Sequence, residues 1–197
     1  MKELTLKEIQ NLLGYEVKIV ADKPDRKLAD VPVGETFKVG DLEFIVLEHT
    51  STGTNVILED FWKIDKFDDE TSNYANSRIR NKLNFVFYSK LVDAIGKENI
   101  LAHTVDLTTD DGRRDYGSVE DNISLLTCDM YRKYVTILDK YNPKKGWWLA
   151  TSYSTVSNGY DFIVRCVTGN GSLDHYDCYN RLGVRPFCIL KSNIFVS

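Results

Sequence analysis

The apolar positions change period twice along the chain. Thr5-Leu6-Lys7-Glu8 reads as a capping box that opens an amphipathic helix, with Leu6, Ile9, Leu12 and Leu13 on one stripe and Gly14 placed to end it. Tyr15 to Val20 reads as a short strand, and residues 21–30, charged and interrupted by Pro24, read as a surface connection. From Val31 the pattern turns to β. Glu35–Val39 and Leu42–Leu47 flank Gly40-Asp41, a hairpin signal, and Asn55–Leu58 can add a third strand. Asn76 or Ser77 can cap a helix in which Ile79, Leu83, Phe87, Leu91 and Ile95 recur at helical spacing before Gly96. Asn84 weakens that helix, which predicts a break near Phe85.

Ile123–Leu126 then reads as a strand, and Thr127 caps a helix carrying Tyr131, Tyr134, Val135 and Leu138, stopped by Asn142-Pro143. The last third holds three strand-like runs, Trp147–Thr151, Phe162–Val167 and Leu182–Leu190, separated by Gly- and Asn-rich loops. Two helices embedded among short strands make the fold class α+β. No repeat or low-complexity tract appears. The expected organisation is an extension over 1–30 and one domain over 31–197.

Bulk properties narrow the function classes. A chain of 197 residues can bury a full core. The net charge of −4 disfavours a nucleic-acid binder, which needs a basic footprint. No apolar run approaches the roughly 20 residues of a membrane helix, and the first residues carry no apolar signal core. Membrane insertion is not expected, and the chain is expected to be cytoplasmic as synthesised, with association with a virion as the alternative. Cys128, Cys166, Cys178 and Cys188 lack metal-type C-x-x-C spacing and read as four reduced thiols; a disulfide at Cys178 is the alternative if the protein ends on a surface.

Three constellations could carry chemistry. Asp110, Asp111 and Asp115 supply the hard oxygens a calcium ion needs, but without the Asp-x-Asp-x-Asp-Gly spacing, so a solvated turn is preferred. Asp174-His175-Tyr176-Asp177-Cys178 crowds three kinds of metal ligand into adjacent positions that point different ways, and lacks a fourth zinc ligand. His49, His103 or His175 could serve Cys166 or Cys178 as a nucleophilic pair, in combinations no richer than chance. No nucleophile elbow, phosphate loop or dinucleotide fingerprint is present. No catalytic residue, metal or cofactor is therefore assigned.

Residues 151–181 have a different texture. A polar-aromatic loop, Thr151–Asp161, and a second, Gly169–Arg181, are joined by the apolar strand Phe162-Ile163-Val164, which would bring them together at one end of a sheet. Tyr among Ser, Gly and Asn is the mixture of antibody loops, large rigid contact area beside adaptable hydrogen bonding; the same residues are also plain turn formers. The ligand-binding candidates are Tyr153, Ser154, Asn158, Tyr160, Asp161, Asp174, His175, Tyr176, Asp177, Tyr179 and Asn180.

Trp147-Trp148-Leu149-Ala150-Thr151, followed roughly 30 residues after Thr151 by Gly183-Val184-Arg185-Pro186-Phe187, resembles the paired signature of a bacterial and phage family known as a domain of unknown function, number 6273. Val33-Gly34-Glu35-Thr36-Phe37 with Phe44-Ile45-Val46-Leu47-Glu48, Ser77-Arg78-Ile79-Arg80 with Leu83-Asn84, and Leu125-Leu126-Thr127 fit the same order of blocks. The resemblance spans roughly residues 31–190 and departs at Ala150-Thr151, where Arg-Ser is expected. That family is similar to C-type-lectin-like proteins related to formylglycine-generating enzymes, which implies a C-type-lectin-like fold. The same scaffold serves variable proteins of diversity-generating retroelements, and the Asn, Tyr, Asp, Ser, His and Thr crowding residues 153–181 match randomised Asn codons. The oxidase activity is not implied, because its cysteine pair has no counterpart here.

Trp147, Trp148, Gly183, Arg185 and Pro186 are expected to serve the scaffold. The two tryptophans should point to opposite faces, one in the core and one partly exposed. Arg185 should make a buried or half-buried ion pair or carbonyl contacts, and Pro186 should mark an edge or the end of strand pairing. The expected function is a non-enzymatic binding module, phage- or prophage-associated, that contacts a protein or glycan through the two loops. The alternatives are a phage structural accessory or inhibitor of a host system acting through another face, and a metal-dependent or cysteine-based enzyme.

Overall fold

The computed structural model describes residues 6–14 and 26–197. Helix α1, Leu6–Leu13, ends where Gly14 takes φ +72, a conformation costly for other residues, and Leu12 and Leu13 are exposed. Thr5 and the strand expected at Tyr15–Val20 lie outside the described residues. Strand β1, Arg26–Lys27, pairs antiparallel with β15, Phe195–Val196, and Leu28 just after it is fully buried.

The fold is mixed α and β, with mainly antiparallel strands and few helices. One sheet runs in the order β2 (Thr36–Val39), β3 (Leu42–His49), β4 (Thr54–Leu58), β14 (Phe187–Leu190) and β6 (Ile100–Leu101), with β9 (Ile123–Ser124) also on β14. The β2–β3 hairpin forms as its sequence requires, turning at Gly40 with φ +58. A second sheet runs β12 (Leu173–Asp177), β11 (Ile163–Val167), β10 (Trp147–Ser152), β13 (Arg181–Val184) and β5 (Lys63–Lys66). Its pairs are antiparallel except β10–β13, which is parallel with Trp147 opposite Gly183. A further ribbon joins β7 (His103–Asp106) to β8 (Ser118–Asp121).

The run expected as one strand over Leu182–Leu190 is two, because Arg185-Pro186 carries the chain from the second sheet into the first. Proline has no N–H for the ladder, and its carbonyl instead accepts from Leu58 N at 2.9 Å. Gly183 sits where a Cβ would lie 2.4 Å from the Phe61 ring, so only glycine admits that approach.

The expectation that one tryptophan is partly exposed is also corrected. Trp147 and Trp148 are 1% and 0% exposed, because β10 lies inside the second sheet with an apolar cluster on each face. Trp148 packs edge-on against Phe67 and donates from Nε1 to Asp65 O at 3.0 Å; Trp147 packs edge-on against Tyr131.

Helices cover the sheets. Ser77 Oγ accepts from Arg80 N and opens α2, Arg78–Lys82, which passes through a π-helical turn, Leu83–Phe87, into α3, Tyr88–Ile95. The expected break is thus a widened turn within a continuous helix. Asn84 explains it: its amide donates to Arg80 O (3.2 Å) and Ile123 O (2.9 Å), and its oxygen accepts from the N–H groups of Asn122 and Ile123. Helix α4, Cys128–Leu138, is capped by Thr127 Oγ1, and Thr151 Oγ1 accepts from Cys128 N at 2.9 Å. Among the described residues no helix is long and apolar enough to cross a membrane.

Candidate functional site

The end of the second sheet gathers segments far apart in sequence. The loop after β10, residues 153–162, meets the turn 178–180 where Cys178 N donates to Phe162 O at 2.7 Å. The segment 67–73 wedges between β10 and these loops: Phe67 N donates to Cys178 O, Ser72 N to Asp161 O, and Ser152 Oγ to Ser72 O. A third loop, 107–117, latches onto the first. Ser154 Oγ donates to Asp111 Oδ2 at 2.7 Å, Thr155 Oγ1 to Asp115 Oδ2 at 2.9 Å, Ser157 Oγ to the same Asp115 oxygen, and Val156 N to Tyr116 Oη at 3.2 Å. Hydrogen bonds from Thr109 and Ser154 hold the Asp111 carboxyl down at about 2, and those from Ser157 and Thr155 lower that of Asp115.

Part of the second expected loop is a strand. Leu173–Asp177 pairs with β11 from Leu173 opposite Val167 to Asp177 opposite Ile163, and Gly169-Asn170-Gly171 turns at the far end of that hairpin. The run has no period-2 apolar face because it lies at the sheet edge, where neither face is fully covered. Its side chains consequently alternate: His175 shares a face with Arg165, whereas Asp174 and Tyr176 project from the other beside Cys166 and Val164.

The Tyr153 ring packs against both Tyr160 and His175, each at 5.2 Å between centroids. Tyr160, Tyr176 and Tyr179 are 38%, 44% and 48% exposed, and Asp161, Asp174 and His175 are exposed with them. Tyr179 Oη donates to Asp177 Oδ2 at 2.6 Å, a bond that raises the phenol pKa. Ser154, in contrast, is 1% exposed and turned inward onto Asp111, and Asn158 donates back to Ser154 Oγ. Asn180 is half-buried and its N–H closes the turn onto Asp177 O. Exposed Val156 and Phe162 belong to the same surface and were not among the expected residues; neither is a polar-aromatic signal. The 67–73 wedge was missed as well, since nothing in Asp68-Asp69-Glu70-Thr71 announces contact with a segment some 90 residues away.

Other candidates resolve into internal pairings. Asp110 faces Arg132 Nη2 at 3.1 Å and Arg165 Nε at 3.6 Å, and among the described residues no group of three or more His, Cys, Asp or Glu could hold a metal ion. The four cysteines are free and buried. Burial pushes the Cys166 and Cys178 thiols up to about 12 and 11, the opposite of what a nucleophile needs. His49 bonds Thr54 and Val31 O, and His103 bonds Ser124.

Arg185 is fully buried and, among the described residues, has no ion pair. Nε and Nη2 donate to the carbonyls of Leu58 (3.1 Å) and Glu59 (2.8 Å), fastening the strand switch to the end of β4, and burial brings its pKa down to about 10. These are the carbonyl contacts among the expected alternatives.

A family model described as Domain of unknown function (DUF6273) matches residues 52–192. The match takes in the Trp-Trp strand, the Gly-Val-Arg-Pro switch and the whole tyrosine-bearing surface, and leaves out the Val33–Glu48 blocks. No curated protein and no solved structure matches the chain.

Proposed function

The chain belongs to the DUF6273 family, and from that premise we propose that it is a non-enzymatic binding module that engages a protein or glycan through the tyrosine-bearing edge of its second sheet. The observation that carries this reading is the Tyr153–Tyr160–His175 cluster, with exposed Tyr176 on the opposite face of the same edge strand and exposed Tyr179 in the turn after it. Tyrosine brings large amphipathic area with little rotamer entropy to lose, which suits an anchor of binding. The loop beneath is tied by side-chain hydrogen bonds to Asp111 and Asp115, so less ordering remains to be done on contact.

Recognition through side chains is favoured over strand addition. Cys178 N bonds Phe162 O and Thr168 N bonds Ser172 O, so by antiparallel alternation the N–H groups of Leu173, His175 and Asp177 face outward. That of His175 is already covered by Asp174 Oδ1 at 2.8 Å, which blunts the edge. The scaffold reading that accompanies this function is a C-type-lectin-like one; what supports it is two helices on short, mainly antiparallel sheets, with the Trp-Trp strand beside the Arg185 switch.

The test compares wild type with a variant carrying Tyr153, Tyr160, Tyr176 and Tyr179 all as Ala, both verified as folded, in capture from extract of the source cells. A partner held by wild type and lost by the variant is the expected result. A partner held equally by both would overturn the assignment of this face.

A further inference from the structure

We infer that the partner presents a basic, arginine-bearing protein segment to this edge, an inference that rests on the binding reading above. Segments 67–73, 153–162 and 173–180 carry Asp68, Asp69, Glu70, Asp161, Asp174 and Asp177 and not one Lys or Arg. Asp69 is neutralised by Lys66 and Arg78, and Asp68 caps Arg78 N. Among the described residues, Glu70, Asp161 and Asp177 have no cationic side chain within salt-bridge distance, and Asp174 has only His175 at 3.6 Å. Glu70, Asp161 and Asp174 are exposed, Asp177 is half-buried and accepts from Tyr179 Oη, and among the described residues none of the four is paired with a Lys or Arg.

The neighbouring cations are turned to other tasks. Arg113 is paired with Asp111, Arg165 with Asp110, and Arg114 lines a separate cavity with Thr104 and Ser118. Arg181 spends a guanidinium N–H on Ile64 O. A guanidinium satisfies both features of the edge at once, since it binds a carboxylate through a planar fork and stacks on a tyrosine face. An anionic polymer would meet repulsion here, and a neutral glycan would leave the carboxylates without a counter-charge.

The experiment measures binding of a fluorescently labelled peptide of alternating arginine and glycine to the full chain, by anisotropy across a salt series. A peptide of alternating glutamate and glycine serves as the comparison. Asp161→Asn/Asp174→Asn/Asp177→Asn is set against Glu43→Gln/Glu59→Gln/Asp60→Asn, which removes equal charge from a separate carboxylate-lined cavity beside Phe61 and Trp62. Binding of the arginine peptide alone, weakened about tenfold or more by the first variant and little by the second, is expected. Equal weakening by both variants would overturn the inference, because net charge and not this edge would then do the attracting. Failure of the arginine peptide to bind, while tyrosine-dependent capture of a partner persists, would remove the cationic partner and leave the binding face in place.

Discussion

The guanidinium carbon of Arg185 lies 5.0 Å from the centroid of the Trp147 ring, inside a core that neither side chain leaves. Two carbonyls and one aromatic face replace part of the water that this cation gives up, while its Nη1 is buried with no hydrogen-bond partner among the described residues. The contact sits where the chain crosses between the two sheets. Arg185→Lys keeps the charge but cannot span both carbonyls and the ring, so a loss of about 2–4 kcal/mol in urea unfolding is expected. A stability within 0.5 kcal/mol of wild type, by about the resolution of such a measurement, would show that charge alone suffices.

Asp65 makes a second internal tie with a pH signature. Burial pushes its carboxyl up, but hydrogen bonds from Lys82 and Lys63 and from the N–H of Lys66 outweigh that and hold it at about 2, against 3.8 in its ordinary state. Because the folded value is the lower one, the stabilisation is complete above about pH 4 and drains away as pH falls through about 2. Asp65→Asn should cost about 2 kcal/mol at neutral pH, with the two unfolding curves converging near pH 2. A gap that stays constant with pH would refute the ionic origin.

Asn84 satisfies the N–H groups of Asn122 and Ile123 and the carbonyl of Ile123 at the start of β9. Asn84→Leu would strand the N–H groups of Asn122 and Ile123 beside the buried face of the helix. A loss of about 2–3 kcal/mol by denaturant titration is expected. An unchanged midpoint would mean that the π-turn persists for another reason.

The latch between loops 107–117 and 153–162 is a dynamic prediction. Asp111→Asn with Asp115→Asn replaces charged acceptors by neutral ones, so amide exchange at Val156 and Tyr160 should quicken while exchange at Val164 and Cys166 stays slow. Uniform protection in both forms would mean that the loop is held by its backbone alone.

The thiols give the plainest check. With Cys128, Cys166, Cys178 and Cys188 all free and buried, a thiol reagent should find none in the native protein and four after denaturation. One rapidly reacting native thiol would contradict this burial.

Much of the architecture was legible in local pattern. The Gly40-Asp41 hairpin, the Ser77 and Thr127 caps and the Trp147 strand all rest on turn chemistry, capping and periodicity, which act over a few residues. The texture of residues 151–181 likewise marked Tyr153, Tyr160, Tyr176 and Tyr179 from composition alone, and three of these are exposed on the structure while Tyr153 is half-buried among them. Where the pattern was read too simply, a non-local partner was responsible. Leu173–Asp177 lacks the strand alternation because an edge strand needs only one neighbour, β11, to define it. Ser154 reads as a surface hydroxyl until Asp111, brought from 43 positions away, turns it inward.

The sequence by itself determined where helices and hairpins begin, the absence of metal-type cysteine spacing, and the concentration of tyrosine and acid in the last third. Only the tertiary structure decided that Trp147 and Trp148 are both buried, that Arg185 bonds carbonyls instead of an acid, and that segment 67–73 joins the tyrosine loops at one edge. The physical reason is range. Capping and periodicity are contests among neighbours in the chain, whereas burial of a face and the partner of a buried charge depend on which distant strand lies beside it, through sheet pairing that no short stretch of residues encodes.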